Sequence, residues 1–423
     1  MNFWSKLKII IEDKSLRNRI LFVLLGLLVF RLLSTIPMPG IDSSKLANFF
    51  SGNQFLGLID IFSGGGLSQL SIVMLGAGPF ITSSIIMQLL TMMIPKMKEM
   101  YHEEGEAGRK KFNQYSRLLT VPLAFIQGFA YLSLLSNSGL VPSLDFTQML
   151  TSISIITAGA MLIMWIGELM TEFGIGNGIS IIIFAGIVSR LPSSISRAYL
   201  TFDVSQVPMY LAFVVVFLIV ILGVVYVSEA ERPIPVTYAK RIRGSTTTGG
   251  VSTYLPLRVN QAGVIPIIFA LSILMFPQMI SKFLMTAGVS EVVKHLASNF
   301  YNFVSNPWVY GVTYFVLVFL FTYFYTAVTF DPESVSTNLQ KNGAFIPGVR
   351  PGASTAEYLG KVLTRITLVG AIFLGLIAVL PTIVQNITGI NSIAIGGTAL
   401  LIVVSVVIDL IKKVEAQISI REY

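Results

Sequence analysis

The sequence predicts an all-α polytopic membrane protein with ten transmembrane helices, arranged as two halves of five. Three observations carry that prediction. Of 423 residues, 54% are hydrophobic and only 12% charged, against roughly 25% charged in a soluble domain. Membrane-length apolar runs recur between polar segments, whereas barrel strands would be runs of about 10 residues with alternating polarity. Lys and Arg concentrate in every second connecting segment.

The elements follow in order. Met1 to Arg19 is a short amphipathic piece with Lys6, Lys8, Lys14, Arg17 and Arg19. The first span, Ile20 to Ile36, carries Arg31 and stops at Pro37 and Pro39, since proline cannot continue a helix. It is too long for the apolar core of a cleavable signal, and IPMPG lacks a small-residue cleavage pattern. A long loop to about Leu70 contains an apolar, plug-like piece, and the second span runs from about Ile72 to Ile94. Pro95 to Arg117 reads as a charged loop. The third span covers Leu118 to Leu135 and the fourth Ile153 to Met170; TEFGIGNG then turns tightly into the short fifth, Ile179 to Leu191. A polar linker, Pro192 to Gln206, precedes the sixth span, Val207 to Val227. Residues 228–258 form a large loop without hydrophobic periodicity. The seventh span is Val259 to Ile280, followed by an outer loop with Lys294 and His295, and the eighth is Trp308 to Phe330. A second large loop, 331–361, leads to the ninth span, Ile366 to Val384; the tenth is Ile393 to Ile411, before a short basic tail. Residues 1–200 and 201–423 are the expected halves.

Charge orients the chain. Of its 29 Lys and Arg, 23 fall in the segments on the N-terminal side of the membrane, five in those on the other side, and Arg31 inside a span. The positive-inside rule puts both termini in the cytoplasm. With five spans per half, any repeat between halves must be inverted.

The net charge of +8 therefore reflects basic loops before nucleic-acid binding. Zero cysteines exclude disulfides, thiolate metal sites and a cysteine nucleophile. His102 and His295 lie in separate loops, which argues against a histidine metal site and against an intramembrane protease with a Ser–His pair. A ten-span transporter for a small solute would need a midplane charged or polar site. Spans six to nine carry no charged residue across their central parts, and the exceptions are Arg31, Glu168 and Asp409; the last two lie near cytoplasmic ends, and Arg31 is close enough to the outer boundary to snorkel or pair.

Isoleucine and glycine instead recur beside helix breaks: GAGPFI in span two, GNGISIII in span five, AGVIPIIF in span seven and GGTALLIV in span ten. Glycine costs roughly 1 kcal/mol inside a helix and proline about 3, so such breaks at membrane depth belong where protein or water surrounds them. An external loop entering a Pro-kinked span is the plainer reading of Ile59 to Met93. A ring of β-branched side chains can close around a chain yet pass no hydrated ion; each isoleucine alone could equally face lipid. Gln88, Thr120 and Asn260 are interior, uncharged and able to hydrogen-bond between helices, weakly, at about 0.6–2 kcal/mol. The cytoplasmic loops carry Lys240, Arg241 and Arg243 around one turn and Arg350 on a Pro/Gly-stiffened tip. These are solvated charges or docking points for an acidic or RNA surface. Neither GxxxxGK[ST] nor GxGxxG appears.

FRLLSTIPMPGID, FSGGGLSQLSI with LGAGPFITSSIIMQLL, EEGEAGRKKFNQYSR, MWIGELMTEFGIGNGISIIIFAGIV, VTYAKR, LPLRVNQAGVIPIIFA and NLQKNGAFIPGVRPG together resemble the SecY/Sec61-alpha family of protein-conducting channels over essentially the whole chain. The resemblance implies an hourglass pore between two inverted five-helix halves, hinged near the linker after span five, in the bacterial plasma membrane. Its pore ring would fall on Ile81, Ile179, Ile183, Ile268 and Ile402, with Ala77 where the family often has a bulky aliphatic residue. The plug would be about Phe55 to Leu70, including Ile59, Ile61, Phe62, Gly64, Gly65, Gly66 and Leu67. Gln88, Thr120 and Asn260 match a polar cluster at a lateral gate between spans two and three and spans seven and eight. Lys240, Arg241, Arg243 and Arg350 resemble the docking site for the SecA motor ATPase or the ribosome. The implied partners are SecE, which clamps the halves, SecG, signal peptides, unfolded polypeptides and membrane lipid; no cofactor is implied.

Overall fold

The computed structural model describes residues 12–38, 63, 65–67, 69–102, 104–137, 145–189, 192, 196, 207–238, 241–243, 246–248, 252–286, 290–388 and 397–419. The first helix, α1 (Lys14–Thr35), begins at Asp13, whose carboxylate accepts from the backbone N–H groups of Ser15 (2.7 Å) and Leu16 (3.2 Å), satisfying donors that a helix start leaves open. Val23 and Phe30 are buried, whereas Leu21, Leu24, Leu25, Leu28 and Leu32 are each more than half exposed. A leucine stripe turned outward is covered by a bilayer, not by water.

The N-terminal half continues with α2 (Gly78–Met93), α3 (Pro95–His102), α4 (Gly105–Asn137), α5 (Phe146–Phe173) and α6 (Gly178–Val188). The C-terminal half has α7 (Val207–Glu229), then strands β1 (Glu231–Tyr238), β2 (Arg241–Arg243), β3 (Thr246–Thr248) and β4 (Ser252–Arg258). Helices α8 (Ile265–Thr286), α9 (Glu291–Ser305), α10 (Pro307–Thr329) and α11 (Pro332–Lys341) follow, then β5 (Ala344–Phe345), α12 (Ala353–Thr388) and α13 (Gly397–Ser419). Three stretches among the described residues are long and apolar enough to cross a membrane by themselves: Phe146–Phe173, Pro307–Lys341 and Ala353–Leu380. A fourth is a bent pair, Gly78–Thr91 with Pro95–Tyr101, meeting at 111°.

Each expected span overlaps a helix, but several expectations require correction. Residues 69–77 are turns, so the second span starts at Gly78 rather than Ile72. The expected charged loop, 95–117, is helical: Glu, Ala, Arg and Lys are good helix formers whatever their charge, and Phe112 buries against Met87 and Met100. The expected outer loop around Lys294 and His295 contains α9. Helix α12 begins 13 residues before the expected ninth span, and α13 runs on through the basic tail to Ser419.

The large loop 228–258 is not irregular. Its β1 and β4 pair antiparallel from Glu231↔Arg258 to Thr237↔Ser252, and β5 of the second large loop pairs with β1 at Thr237 and Tyr238. Pro233 and Pro235 are two residues apart on β1, short of the β5 pairing, where one edge of the strand has no ladder to lose.

Helices pack mainly within their own half, α1 on α5, α2 on α4, α5 on α6, α8 and α12 on α10, and α7 on α13. Between the halves, α13 meets α6, and α8 meets α2 and α4. The turn segment before α2 is held from both sides. Met38 N–H donates to the Leu70 carbonyl (2.8 Å) and Ile72 N–H to the Ile36 carbonyl (3.1 Å). Behind it, a Cβ on Gly159 of α5 would overlap the Ile72 carbonyl oxygen.

Gly159→Ala is therefore expected to cost about 1–3 kcal/mol through overpacking and to lower the melting temperature in detergent. Gly223→Ala is the control: its Cβ would meet the Phe373 ring at an ordinary 3.4 Å, and its melting temperature should not fall.

Candidate functional site

The six side chains expected to form a ring come from four separate elements. Ala77 ends the turn segment and Ile81 lies four residues on, on the same face of the chain entering α2; Ile81 N–H donates to the Ala77 carbonyl (3.0 Å). Pro79 sits in the first turn of α2, where its missing N–H costs nothing. On α6, Ile179 and Ile183 repeat the four-residue spacing. Asn177 sets where that helix begins, its side-chain oxygen accepting from the N–H groups of Ile179 (3.1 Å) and Ser180 (3.2 Å). A Cβ on Gly178 would overlap the Gly167 carbonyl oxygen, so only glycine lets α5 and α6 approach this closely. Ile268 lies in the first turn of α8 and Ile402 near the start of α13.

All six enter one contiguous apolar cluster, together with Val73, Ile163, Ile182, Ile187, Ala399 and Val406. Ala77, Ile183 and Ile402 are buried, Ile268 is 9% exposed, and Ile81 and Ile179 are half-buried. The cluster joins elements from Val23 of α1 to Leu410 of α13, drawing on both halves of the chain.

Of the expected plug, Ile59, Ile61, Phe62 and Gly64 lie outside the described residues. Gly65, Gly66 and Leu67 form a turn in which Leu67 N–H donates to Ser63 Oγ (3.0 Å). Leu67 and Leu70 are buried in a second cluster, with Met38, Met74 and Leu75 against Ala124 and Leu132 of α4 and Ile156 of α5. The end of this segment thus packs on α4 and α5, beside the six-residue cluster.

Gln88, Thr120 and Asn260 lie on three segments, and no hydrogen bond among the described residues joins them. Helices α2 and α4 are linked by other groups: Ser83 Oγ donates to the Ser116 carbonyl (2.5 Å), and Gln127 Nε2 to Thr82 Oγ1 (3.4 Å). Thr120 Oγ1 also donates to the Ser116 carbonyl (2.8 Å) within α4. Gln88 Nε2 donates to Ser84 Oγ (3.4 Å) on its own helix. The Oε1 of Gln88 and the Oδ1 of Asn260 are both buried with no hydrogen-bond partner among the described residues. An unsatisfied buried acceptor costs about 1–3 kcal/mol, so each of these two positions is held below its best packing energy.

Arg31, Glu168 and Asp409 each find a partner, whereas Arg190, at the end of the expected fifth span, lies outside the described residues. Arg31 donates to Ser189 Oγ (3.2 Å) at the end of α6, Arg117 pairs with Glu168 (2.6 Å), and Lys413 with Asp409 (2.8 Å). At the N-terminal end of α5, the Thr147 hydroxyl (2.8 Å) and the Phe146 backbone N–H hold the Asp145 carboxyl below its ordinary pKa.

Lys240 lies outside the described residues; Arg241 and Arg243 are cross-strand from Thr248 and Thr246 in the β2–β3 hairpin. Arg350 is exposed at a tip between Gly348 (φ +83°) and Gly352 (φ +101°), its carbonyl accepting from Thr355 Oγ1 (2.9 Å). Ser336 Oγ of α11 ties the Gly352 carbonyl to the same unit (2.7 Å). The two loops share one core, in which Ile234, Val236 and Leu257 meet Ala344, Ile346, Leu359 and Val362. Reading the loops separately misses this. The signal was the period-2 alternation of Ile234 with Val236 and of Leu255 with Leu257, interrupted by prolines.

A family model described as SecY matches residues 71–411. The protein translocase subunit SecY of Thermotoga maritima is 42% identical over 99% of this chain and 97% of its own. A solved SecY protein, whose plug domain stabilises the closed state of its translocation channel, superposes with a TM-score of 0.65 at 20% identity, covering 96% of this chain and 93% of its own. Sec61 in the canine ribosome–channel complex from the endoplasmic reticulum superposes at 0.62 with 19% identity and the same coverage. At these identities the structural likeness is one of fold.

Ile234→Asp should place an unpaired charge in the shared core, at a cost of about 3–5 kcal/mol. Limited proteolysis is expected to open both the 239–251 and the 342–352 segments in this variant. Faster cleavage at the first segment alone would show that the two loops are not one unit.

Proposed function

The chain belongs to the SecY family, and we propose that it is a protein-conducting channel, rather than an enzyme, that passes unfolded secretory polypeptides across the plasma membrane. The observation that carries this reading is the convergence of Ala77, Ile81, Ile179, Ile183, Ile268 and Ile402 from four elements into one apolar cluster. Side chains without hydrogen-bonding groups offer a hydrated ion nothing in exchange for its water. They can nonetheless part around an extended polypeptide and close behind it.

The remaining parts follow from the same physics. Ten spans with both termini in the cytoplasm account for the asymmetry of basic residues. The segment 55–70 acts as the plug, tethered at its C-terminal end by the backbone bonds between 36–38 and 70–72. The seam where α8 meets α2 and α4 serves as the lateral gate. Its two unpartnered amide oxygens weaken the closed state, and parting it lets an apolar segment move sideways into lipid. Because the sequence lacks a nucleotide-binding motif, the driving force comes from SecA, the ribosome or the membrane potential. The cytoplasmic unit bearing Arg241, Arg243 and Arg350 is the docking surface, SecE holds the halves together, and SecG completes the complex.

The test is import of a signal-bearing, unfolded protein into proteoliposomes holding the chain and its small subunits, with SecA and ATP. A cysteine at Ile183 or Ile268, on this cysteine-free background, should crosslink to a stalled substrate, and one at exposed Phe217 should not. Import without crosslinks at 183 and 268 would reject the ring; saturable uptake of a small solute in place of import would reject the channel. Gln88→Leu and Asn260→Leu remove the orphaned oxygens. Each should stabilise the closed seam by about 1–3 kcal/mol and slow signal-dependent import, measured as the initial rate.

A further inference from the structure

We propose that α9 lies in the membrane–water interface and that the groove between α9 and α8 holds an acyl chain of an outer-leaflet phospholipid; the choice of leaflet rests on the proposed topology. The helix is fixed at both ends to membrane-length helices. Three residues separate Thr286 of α8 from Ser290, and Asn306 alone separates α9 from α10. Asn306 ends the one helix and starts the other, its side-chain oxygen accepting from Trp308 N–H (3.0 Å). So short a junction keeps the C-terminal end of α9 at the level where α10 enters the membrane. Exposed Trp308 marks that level, since tryptophan favours the headgroup region.

The faces of α9 differ in chemistry. Ala297 is buried and Val293, Tyr301 and Val304 are half-buried, forming the side packed on the protein. Val292, Leu296, Phe300 and Phe303, spaced to form one stripe, are about half exposed or more. The polar stripe carries Glu291, His295, Ser298 and Asn302. Four large apolar residues facing water would be costly, whereas an amphipathic helix settles with that face about 5–10 Å into the headgroup–acyl boundary. On α10, Val312, Val316 and Leu320, at four-residue spacing, are likewise exposed.

Between the two helices runs a cavity of about 640 Å3, lined by Ile273, Pro277 and Ile280 of α8 and by Val293, Leu296 and Phe300 of α9. The hydroxyl of Ser281, also in its wall, is already used in a hydrogen bond to the Pro277 carbonyl (2.8 Å). The side chains of the groove therefore offer apolar surface and no free hydrogen-bond donor, which suits a hydrocarbon chain. Proline at 277 removes an N–H from the helix interior at the point where the groove opens.

The test is spin-label accessibility in proteoliposomes of phosphatidylethanolamine and phosphatidylglycerol, using single cysteines in the full chain with its small subunits. Labels at Leu296→Cys, Phe300→Cys and Phe303→Cys should be reached by oxygen, which concentrates in lipid, more than by a water-soluble nickel chelate. Labels at His295→Cys and Asn302→Cys should show the reverse. Val292→Cys repeats the apolar-face measurement outside the cavity, so a fold defect at Phe300 does not decide the result. Preference for the chelate at the apolar stripe, or exclusion of both reagents by another protein, would overturn the proposal. The leaflet is read separately: Asn302→Cys should react with an impermeant thiol reagent added outside, and reaction only from inside would overturn the outward topology while the oxygen result still judges lipid contact.

Discussion

Hydrocarbon offers no hydrogen bonds, so every backbone group within the membrane must find its partner in the protein. This constraint governs where the fold can be irregular. Residues 69–77 depart from helix beside the six-residue apolar cluster, and they do so under cover. Their backbone bonds to residues 36 and 38 on one side, and Gly159 of α5 closes over Ile72 on the other. The same logic applies to the turn before α6, where Thr171 Oγ1 receives the Gly178 N–H (2.8 Å) and the Gly167 carbonyl accepts from Thr171 (2.8 Å). Irregular backbone is thus supplied with side-chain and backbone partners before it is used to bring Ala77 and Ile179 into place.

The packing divides into tight and loose contacts. Glycines at 159, 167 and 178 let backbones touch within the N-terminal half, where a single added methyl group would be resisted. Elsewhere packing is less complete: the side-chain oxygens of Gln88 and Asn260 are buried with no hydrogen-bond partner among the described residues. Arg117 with Glu168 and Lys412 with Glu229 (2.9 Å) add links between helix ends within each half, worth little singly at exposed positions but placed where they do not bridge the seam.

The unit built on β1, β4 and β5 follows a third rule. Two long loops, separated by three helices in sequence, each lack enough apolar residues to fold alone, and together they bury one small core around Ile234 and Ile346. The exposed Arg350 therefore rides on a folded platform attached directly to α12.

Much was legible in the chain itself because it depends on composition and local chemistry. Low charge and recurrent apolar runs determined a helical membrane protein, and long motifs from FRLLSTIPMPGID to NLQKNGAFIPGVRPG pointed to the family. Period and charge misled where they compete: Gly105 to Arg117 looks like a loop because it is charged, yet continues a helix through Phe112. Only the tertiary structure decided which isoleucines converge, that Leu67 packs against α4 and α5, and that β1 takes partners from two loops. Those outcomes are contacts between residues tens to hundreds of positions apart, and no local pattern encodes a neighbour that distant.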